Sequence, residues 1–403
     1  MSRNESTARV LIYSHDRFGL VHLRRSLAIA HGMVGAFQNL SVLIISGSPI
    51  IGSFNFKEQV DFVRIPGVIR PPGGELTPLN LRININQAMA IRSSIIEHTA
   101  NVFQPDLFLV DNVPVGLRGE IRKTLKMLKR RGAKLVLGLR DVIDNPMLLR
   151  EDWEQLKVLP VLKNAYDQIW VYGLPEICRP LEGLNLPESV LDKVIYTGYL
   201  RRELPAASRD SVQFRPAPPS PYIVVTPGGG SDGDGLIDWV LRAYESEGEL
   251  GYNALVVFGP FMSERMRDGF LTRINCLESV QAITFDTHVE HLLADAAGVV
   301  TMGGYNTFCE ILSLDKKSII VPRAAPKIEQ FIRGQRAEQL GLAKLLSSDG
   351  PKHSALMADA IRNLKHQQYP SLVDIPGMLD GIDNINRMLA EILDERPIQA
   401  WAL

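Results

Sequence analysis

The sequence predicts an α/β protein made of two doubly wound parallel sheets, and three observations lead there. Short β-branched runs alternate with stretches of helical spacing along most of the chain, a pattern that yields parallel sheets with right-handed crossovers. Residues Arg201 to Pro221, rich in Pro, Ala and Ser and without periodicity, divide that alternation into two series. The length, 403 residues, suits two domains.

In the first series, strands are expected at Arg9 to Tyr13, Ser41 to Ile45, Val60 to Ile65, Leu107 to Asp111, Lys134 to Leu139, Gln168 to Val171 and Val194 to Thr197. Helical spacing lies between most of them, at His22 to Met33, Leu79 to Val102, Arg118 to Arg131 and Trp153 to Ala165. The second series begins with a strand at Tyr222 to Thr226. Helix from about Leu236, strand Ala254 to Phe258, helix from Ser263, strand Val280 to Phe285 and helix His288 to Asp295 follow. Boundaries are set at residues 1–200, a linker 201–221, 222–375, and a last amphipathic helix within 376–403.

Composition narrows the function classes. Apolar residues make up 45% and charged residues 22%, ordinary for a soluble globular protein. The net charge of −1 lacks a basic footprint, so no nucleic-acid partner is expected. No apolar run approaches the ~20 residues that span a bilayer. The N-terminus has no signal-peptide core, which predicts a cytoplasmic protein. The apolar pair Val68-Ile69, with Arg64 and Arg70 nearby, offers a peripheral membrane contact. Three unclustered cysteines suggest a reducing compartment, with neither a disulfide scaffold nor a metal cage. Cys309 reads as a small buried helix residue.

The richest stretch runs from Gly298 to Gln339. A buried strand, Ala297 to Met302, breaks at Gly303-Gly304, where backbone can approach a ligand closely. The helix that follows aims free N–H groups at the same place and favours an anion such as a diphosphate. Glu310 lies one turn into that helix, within reach of a polyol such as ribose. Thr307-x-x-Glu310 is also a capping-box pattern, which needs no ligand. A strand, Ser318 to Val321, stops at Pro322, and Glu329-Gln330 then opens a helix that could reach further hydroxyls.

The run Gly304-Tyr-Asn306-Thr307-Phe-Cys-Glu310, the strand ending Val321-Pro322, and Glu329-Gln330 together resemble the donor-nucleotide motif of GT-B glycosyltransferases, family 28. The likeness is clear over roughly Phe285 to Ala343 and fades toward the N-terminus. It implies two Rossmann-like domains facing across a cleft, and a final helix crossing back to the first. It also implies an inverting, metal-independent hexosyl transfer from a nucleoside-diphosphate sugar, UDP-linked, to an acceptor hydroxyl on a lipid or small molecule, with no cofactor. In this resemblance Glu310 binds the ribose and Gln330 touches the donor sugar. The base lies at Phe285-Asp-Thr-His288, and Arg201 loosely matches an interdomain arginine that neutralises diphosphate.

Two further turns carry chemistry. Gly228-x-Gly230-x-x-Gly233 follows a strand and precedes a helix, as a dinucleotide fingerprint does. The next strand runs into Phe258-Gly-Pro-Phe261 without the acid that would hold an adenosine ribose. The loop resembles instead the family's Gly-Gly-Ser diphosphate loop, with Gly229, Gly230 and Ser231 donating to the leaving group. Asp232 and Asp234 read as helix caps rather than metal ligands.

After the first strand, His22 aligns with the histidine closing the family's N-terminal glycine loop, where many inverting GT-B enzymes place the catalytic base. Imidazole suits that task because its pKa lies near working pH. The family's neighbouring glycines are Leu20 and Val21 here. His15 and the strand-ending Asp111 are fallback bases. Two alternatives stay open: a sugar-nucleotide 2-epimerase or hydrolase using Asp111, Asp141 and Asp144, and a non-catalytic nucleotide-sugar-binding protein.

Overall fold

The computed structural model describes residues 7–15, 21–70, 74–204, 218–229, 232–284, 289–323, 328–347 and 350–393. They belong to two units, Met1–Leu200 with Gly377–Leu403, and Arg201–Pro376.

The first unit contains β1 (Ala8–Ser14), α1 (Val21–Ala36), β2 (Leu40–Ser46), β3 (Val60–Arg64), β4 (Val68–Ile69), β5 (Thr77–Pro78), α2 (Ile85–Phe103) and β6 (Leu107–Asp111). It continues with α3 (Arg122–Arg130), β7 (Lys134–Arg140), α4 (Pro146–Gln155), α5 (Leu159–Asn164), β8 (Gln168–Tyr172), α6 (Glu188–Leu191) and β9 (Val194–Tyr196). Seven strands form one sheet in the order β3-β2-β1-β6-β7-β8-β9, and every pair is parallel. The central strands β1 and β6 are buried almost end to end, as expected where helices cover both faces of a parallel sheet.

Local chemistry sets the helix ends. Asn84 and Gln87 form a reciprocal capping box at the start of α2. Pro146 occupies the first turn of α4 behind an Asn145 cap. The single helix expected over Trp153 to Ala165 is two, because Lys157 takes a left-handed φ of 45° between α4 and α5. Val68, read in sequence as part of a membrane contact, is buried with Leu76 and Leu117. It is therefore not available to a bilayer.

The second unit contains β10 (Tyr222–Thr226), α7 (Asp234–Ser246), β11 (Asn253–Val257), α8 (Glu264–Ile274), β12 (Val280–Ile283) and α9 (Val289–Asp295). Then come β13 (Gly298–Thr301), α10 (Tyr305–Ser313), β14 (Ser318–Ile320), α11 (Glu329–Gln339), β15 (Lys344–Leu345) and α12 (Ser354–Arg362). The sheet order is β12-β11-β10-β13-β14-β15, again parallel throughout. Helices α7 and α12 cover one face, where buried Trp239 donates to the His353 carbonyl at 2.8 Å.

The chain then rejoins the first unit through α13 (Gly381–Leu393). Asn386 donates to the Gly32 carbonyl of α1 at 3.3 Å. A Cβ at Gly32 would lie 2.5 Å from Ile382 Cγ2, so the close approach of α13 to α1 depends on that glycine. Among the described residues no helix is long and apolar enough to cross a membrane.

In both sheets the strand order reverses beside the first strand, between β1 and β6 and between β10 and β13. Ligands of open α/β sheets bind at such switch points, outside the carboxyl ends of the strands.

Beneath the first switch point lies a buried ionic cluster. Arg92 on α2 grips Glu120 through Nε and Nη2, each at 2.7 Å, and gives Nη1 to the Pro66 carbonyl at 2.6 Å. Tyr13 of β1 donates its hydroxyl to Glu120 at 2.5 Å. The cluster joins β1, α2 and the segment before α3. Replacing Arg92 with Met leaves Glu120 buried without its cation, and such losses cost about 3–5 kcal/mol. Urea melts of the variant are expected to show a loss of that size.

Candidate functional site

The first switch point brings His22, Arg25 and Asp111 together. His22 and Arg25 lie one turn apart on α1, on the same helix face. Asp111 ends β6 and is almost fully buried. Its Oδ1 accepts from Arg25 Nε at 2.8 Å, and its Oδ2 accepts from Arg25 Nη2 at 2.6 Å. Oδ2 also lies 2.6 Å from His22 Nδ1. The guanidinium sits over the Tyr172 ring, 5.8 Å from its centroid. Tyr172 in turn fits only because residue 138 is glycine: a Cβ there would lie 1.9 Å from the Tyr172 hydroxyl.

These contacts assign the tautomer of His22. Arg25 Nη2 also lies 2.9 Å from His22 Nδ1, so Nδ1 is flanked by a donor and an acceptor. If Nδ1 carried a lone pair, it would face an anionic oxygen at 2.6 Å, a strongly repulsive arrangement. If Nδ1 carries the hydrogen, that distance is a short charge-assisted hydrogen bond. We therefore place the hydrogen on Nδ1, which leaves the lone pair on Nε2.

The electrostatics agree. Burial pushes the His22 pKa down to about 4, against the upward pull of Asp111, and Arg25 and Arg140 push the same way as burial. Burial opposes the charge on Asp111, but Arg25 and the His22 hydrogen bond outweigh it and hold the carboxyl below the usual range. At neutral pH the pair is thus a neutral imidazole on a carboxylate. His15, just past β1, is buried, its ring 5.8 Å from that of His22.

In the second unit, Thr226 and Thr301 end the two switch-point strands and are paired in register. Each threonine hydroxyl accepts from the backbone N–H two residues on, Gly228 at 3.2 Å and Gly303 at 3.4 Å. Two glycine turns therefore open side by side. At Gly303, φ is +75° and a Cβ would lie 2.7 Å from Ile320 Cγ2, so the turn requires glycine. Behind it, fully buried Arg333 of α11 donates to the Gly303 carbonyl at 2.7 Å and sits over the Tyr305 ring.

Helix α10 starts at Tyr305 with Gly304 as its N-cap and no side-chain cap bond. A Cβ at Gly304 would meet nothing within 4 Å, so there is space beside the start of the helix. The capping-box alternative for Thr307 and Glu310 fails, because Thr307 is already inside the helix. Asn306, Thr307 and Glu310 are all buried on α10.

Buried Glu329 and Gln330 open α11, and Arg323 holds them in place. Its backbone N–H donates to Gln330 Oε1 at 3.0 Å, and its guanidinium pairs with Glu329 and with Asp232, the latter at 2.6 Å. Asp232 is thus an ion-pair partner and not a cap. Gly233 is the N-cap of α7, and Asp234 lies in the first turn. Arg201 is exposed, while its neighbour Arg202 donates to Asn306 Oδ1 at 2.8 Å.

Gly229 accepts from the Phe261 N–H at 3.1 Å. Gly230, Ser231, Phe285 and His288 lie outside the described residues. Sequence reasoning missed Arg25, Arg202, Arg323 and Arg333; Arg25, Arg202 and Arg333 bond a strand end, a helix and a turn distant in sequence, while Arg323 bonds the helix that follows it and Asp232. Asp141, one of the epimerase carboxylates, is buried and receives the Tyr199 hydroxyl at 2.7 Å. Asp144 accepts from the next residue's N–H at 2.9 Å.

Two doubly wound units, each with polar residues at its switch point, define the GT-B class, and solved structures of that class share the fold. A UGT transferase from Siraitia grosvenorii in complex with UDP matches with a TM-score of 0.59 at 15% identity, covering 96% of this chain and all of that one (100%). Phytolacca americana UGT2, complexed with UDP-2-fluoro-glucose and pterostilbene, matches at 0.58 and 14% identity, covering 96% and 94%. VinC, in complex with dTDP, matches at 0.58 and 16% identity, covering 96% and 98%. No curated protein matches the chain by sequence. Residues 222–356 match the glycosyltransferase family 28 C-terminal domain. The chain has the two-unit GT-B fold, and its likeness to glycosyltransferase family 28 rests on residues 222–356.

The two glycines of the α10 turn should respond differently to a methyl group. Gly303→Ala forces a left-handed alanine, worth about 1–3 kcal/mol, in addition to the clash with Ile320. Gly304→Ala meets nothing within 4 Å and keeps φ at −60°, so its cost should stay below about 1 kcal/mol. Parallel denaturant melts of the two variants measure the difference.

Proposed function

We propose that the protein transfers a hexose-type sugar from a nucleoside-diphosphate donor, UDP-linked, to an acceptor hydroxyl, with inversion and without a metal. The donor binds the second unit and His22 of the first is the base. The observation that carries this reading is the His22–Asp111 pair, a neutral imidazole whose Nδ1–H is committed to a buried carboxylate. Its Nε2 lone pair is the proton acceptor such a reaction needs.

In the displacement, the acceptor oxygen forms a bond to C1 of the sugar while its proton passes to His22 Nε2. The bond from C1 to the phosphate oxygen breaks, and its electron pair leaves with the diphosphate. A single attack from the opposite face inverts the anomeric centre. Charge on the leaving group is met by the N–H groups that open α10 at Gly304 and by the glycine loop after β10, with Ser231. This is electrostatic stabilisation by dipoles already in place. Glu310 takes the ribose hydroxyls, and Glu329 and Gln330 take the donor sugar. The solved relatives bound to UDP or dTDP support a nucleotide donor.

A 2-epimerase would need free carboxylates, and Asp141 is committed to Tyr199. Incubating the protein with UDP-N-acetylglucosamine and no acceptor separates the two reactions, because an epimerase acts on the donor alone.

Two tests follow. Nucleoside diphosphates should raise the melting temperature of the wild type, since a ligand of the native state stabilises it. Glu310→Ala should weaken that binding about tenfold or more, the worth of a charged hydrogen bond. No stabilisation by any nucleoside diphosphate would refute the reading. The second test is the pH profile. The base must be unprotonated, and the His22 pKa is lowered to about 4. The rate should therefore hold steady from neutrality down past the ordinary histidine range near 6.5 and fall only as pH approaches 4. His22→Gln should lower the rate about 10²–10⁴-fold and abolish that limb.

A further inference from the structure

We infer that Arg25 is a positioning residue for the base: its guanidinium fixes the Asp111 carboxylate and thereby dictates which nitrogen of His22 faces substrate. The inference rests on the reading of His22 as the base, but not on the identity of donor or acceptor.

The geometry is specific to Arg25. Both carboxylate oxygens of Asp111 are taken by one planar fork, Nε on Oδ1 at 2.8 Å and Nη2 on Oδ2 at 2.6 Å. Two parallel donors fix the plane of a carboxylate as well as its charge. The His22 Nδ1–H meets Oδ2 at 2.6 Å in that arrangement. A carboxylate accepting three hydrogen bonds with no proton of its own can only receive the imidazole hydrogen, so Nε2 is left with the lone pair.

Arg25 is itself held from several directions. It has no exposed surface. It lies over Tyr172 at the end of β8, and Tyr172 occupies space that only Gly138 of β7 leaves open. Because His22 and Arg25 share a face of α1, this anchoring fixes the base against β6, β7 and β8 together.

Arg25 also sets the strength of the base. Among the described residues, the charged or titratable groups around His22 are Asp111 on β6, Arg25 on α1, Arg140 at the end of β7 and His15 after β1. Tyr172 on β8 stays protonated. Among these, Asp111 favours the imidazolium, and Arg25 opposes that pull at contact distance. Without Arg25, a buried carboxylate would face His22 with no bound cation. The pair would then draw a proton from water at higher pH, and the base would be spent before the acceptor arrived.

The test is imidazole nitrogen NMR on the full chain labelled with 15N-histidine, the His22 signals being identified by their loss in His22→Gln. It needs neither substrate nor turnover. In the wild type, the proposal expects the Nδ1–H tautomer and a low titration midpoint. Arg25→Met should raise that midpoint by about one unit or more, the effect of a charge at this distance, and shift the acid limb of the rate profile with it. Arg25→Lys keeps the charge but not the fork. It should hold the midpoint near the wild-type value and lower kcat about tenfold, with KM for the donor unchanged.

A folded Arg25→Met with the wild-type tautomer and midpoint overturns the proposal. Should that variant fail to fold, Arg25→Lys decides alone, and wild-type kcat together with an unchanged tautomer overturns it. The expected NMR behaviour in a protein that turns over no nucleotide sugar would leave the role of Arg25 standing and remove the transferase reading.

Discussion

The constraint that everything else depends on is the strand order of the two parallel sheets. In each, the chain starts in the middle, winds to one edge, then returns to build the other side. The loops that leave the first strand and its later neighbour are therefore pushed apart to opposite faces, and a gap opens between them at the carboxyl edge. In the first unit that gap receives Asp111 from β6 and His22 from the helix after β1. In the second it receives the turns after Thr226 and Thr301, which the sheet register places side by side. A one-residue slip in either sheet would turn these side chains to the other face.

Two buried arginine–carboxylate pairs in the first unit show how similar chemistry serves different ends. Arg92 and Glu120 are closed by the Tyr13 hydroxyl and the Pro66 carbonyl, and both side chains are almost fully buried. That cluster ties elements together. At Asp111 one of the donors is an imidazole, still partly exposed, whose second nitrogen is not spent on the carboxylate. Burial and Arg25 depress its basicity while Asp111 supports it, and burial wins. The outcome is a weak base that stays neutral and oriented.

The fold class was legible because parallel sheets write themselves locally: the seven strands expected in the first series correspond to the seven in its sheet. The α10 turn was legible for the same reason, since its glycines, helix start and Glu310 are contiguous. His22 and Asp111 drew attention separately, one by alignment and one by its place at a strand end. Their hydrogen bond spans 89 residues and no spacing reveals it. The arginines escaped notice because a cation on a helix ordinarily reads as solvated. Arg25 and Arg333 are instead fully buried, against Asp111 and the Gly303 carbonyl. The break at Lys157 was hidden too, as the flanking spacing is helical on both sides.

The most direct test of this account is the structure of the protein with uridine diphosphate bound. The account requires the diphosphate against the backbone N–H groups at Gly304 to Asn306, where α10 begins without a side-chain cap. It also requires a ribose hydroxyl within hydrogen-bonding distance of Glu310. A diphosphate seated elsewhere, with Glu310 touching no part of the nucleotide, would contradict it.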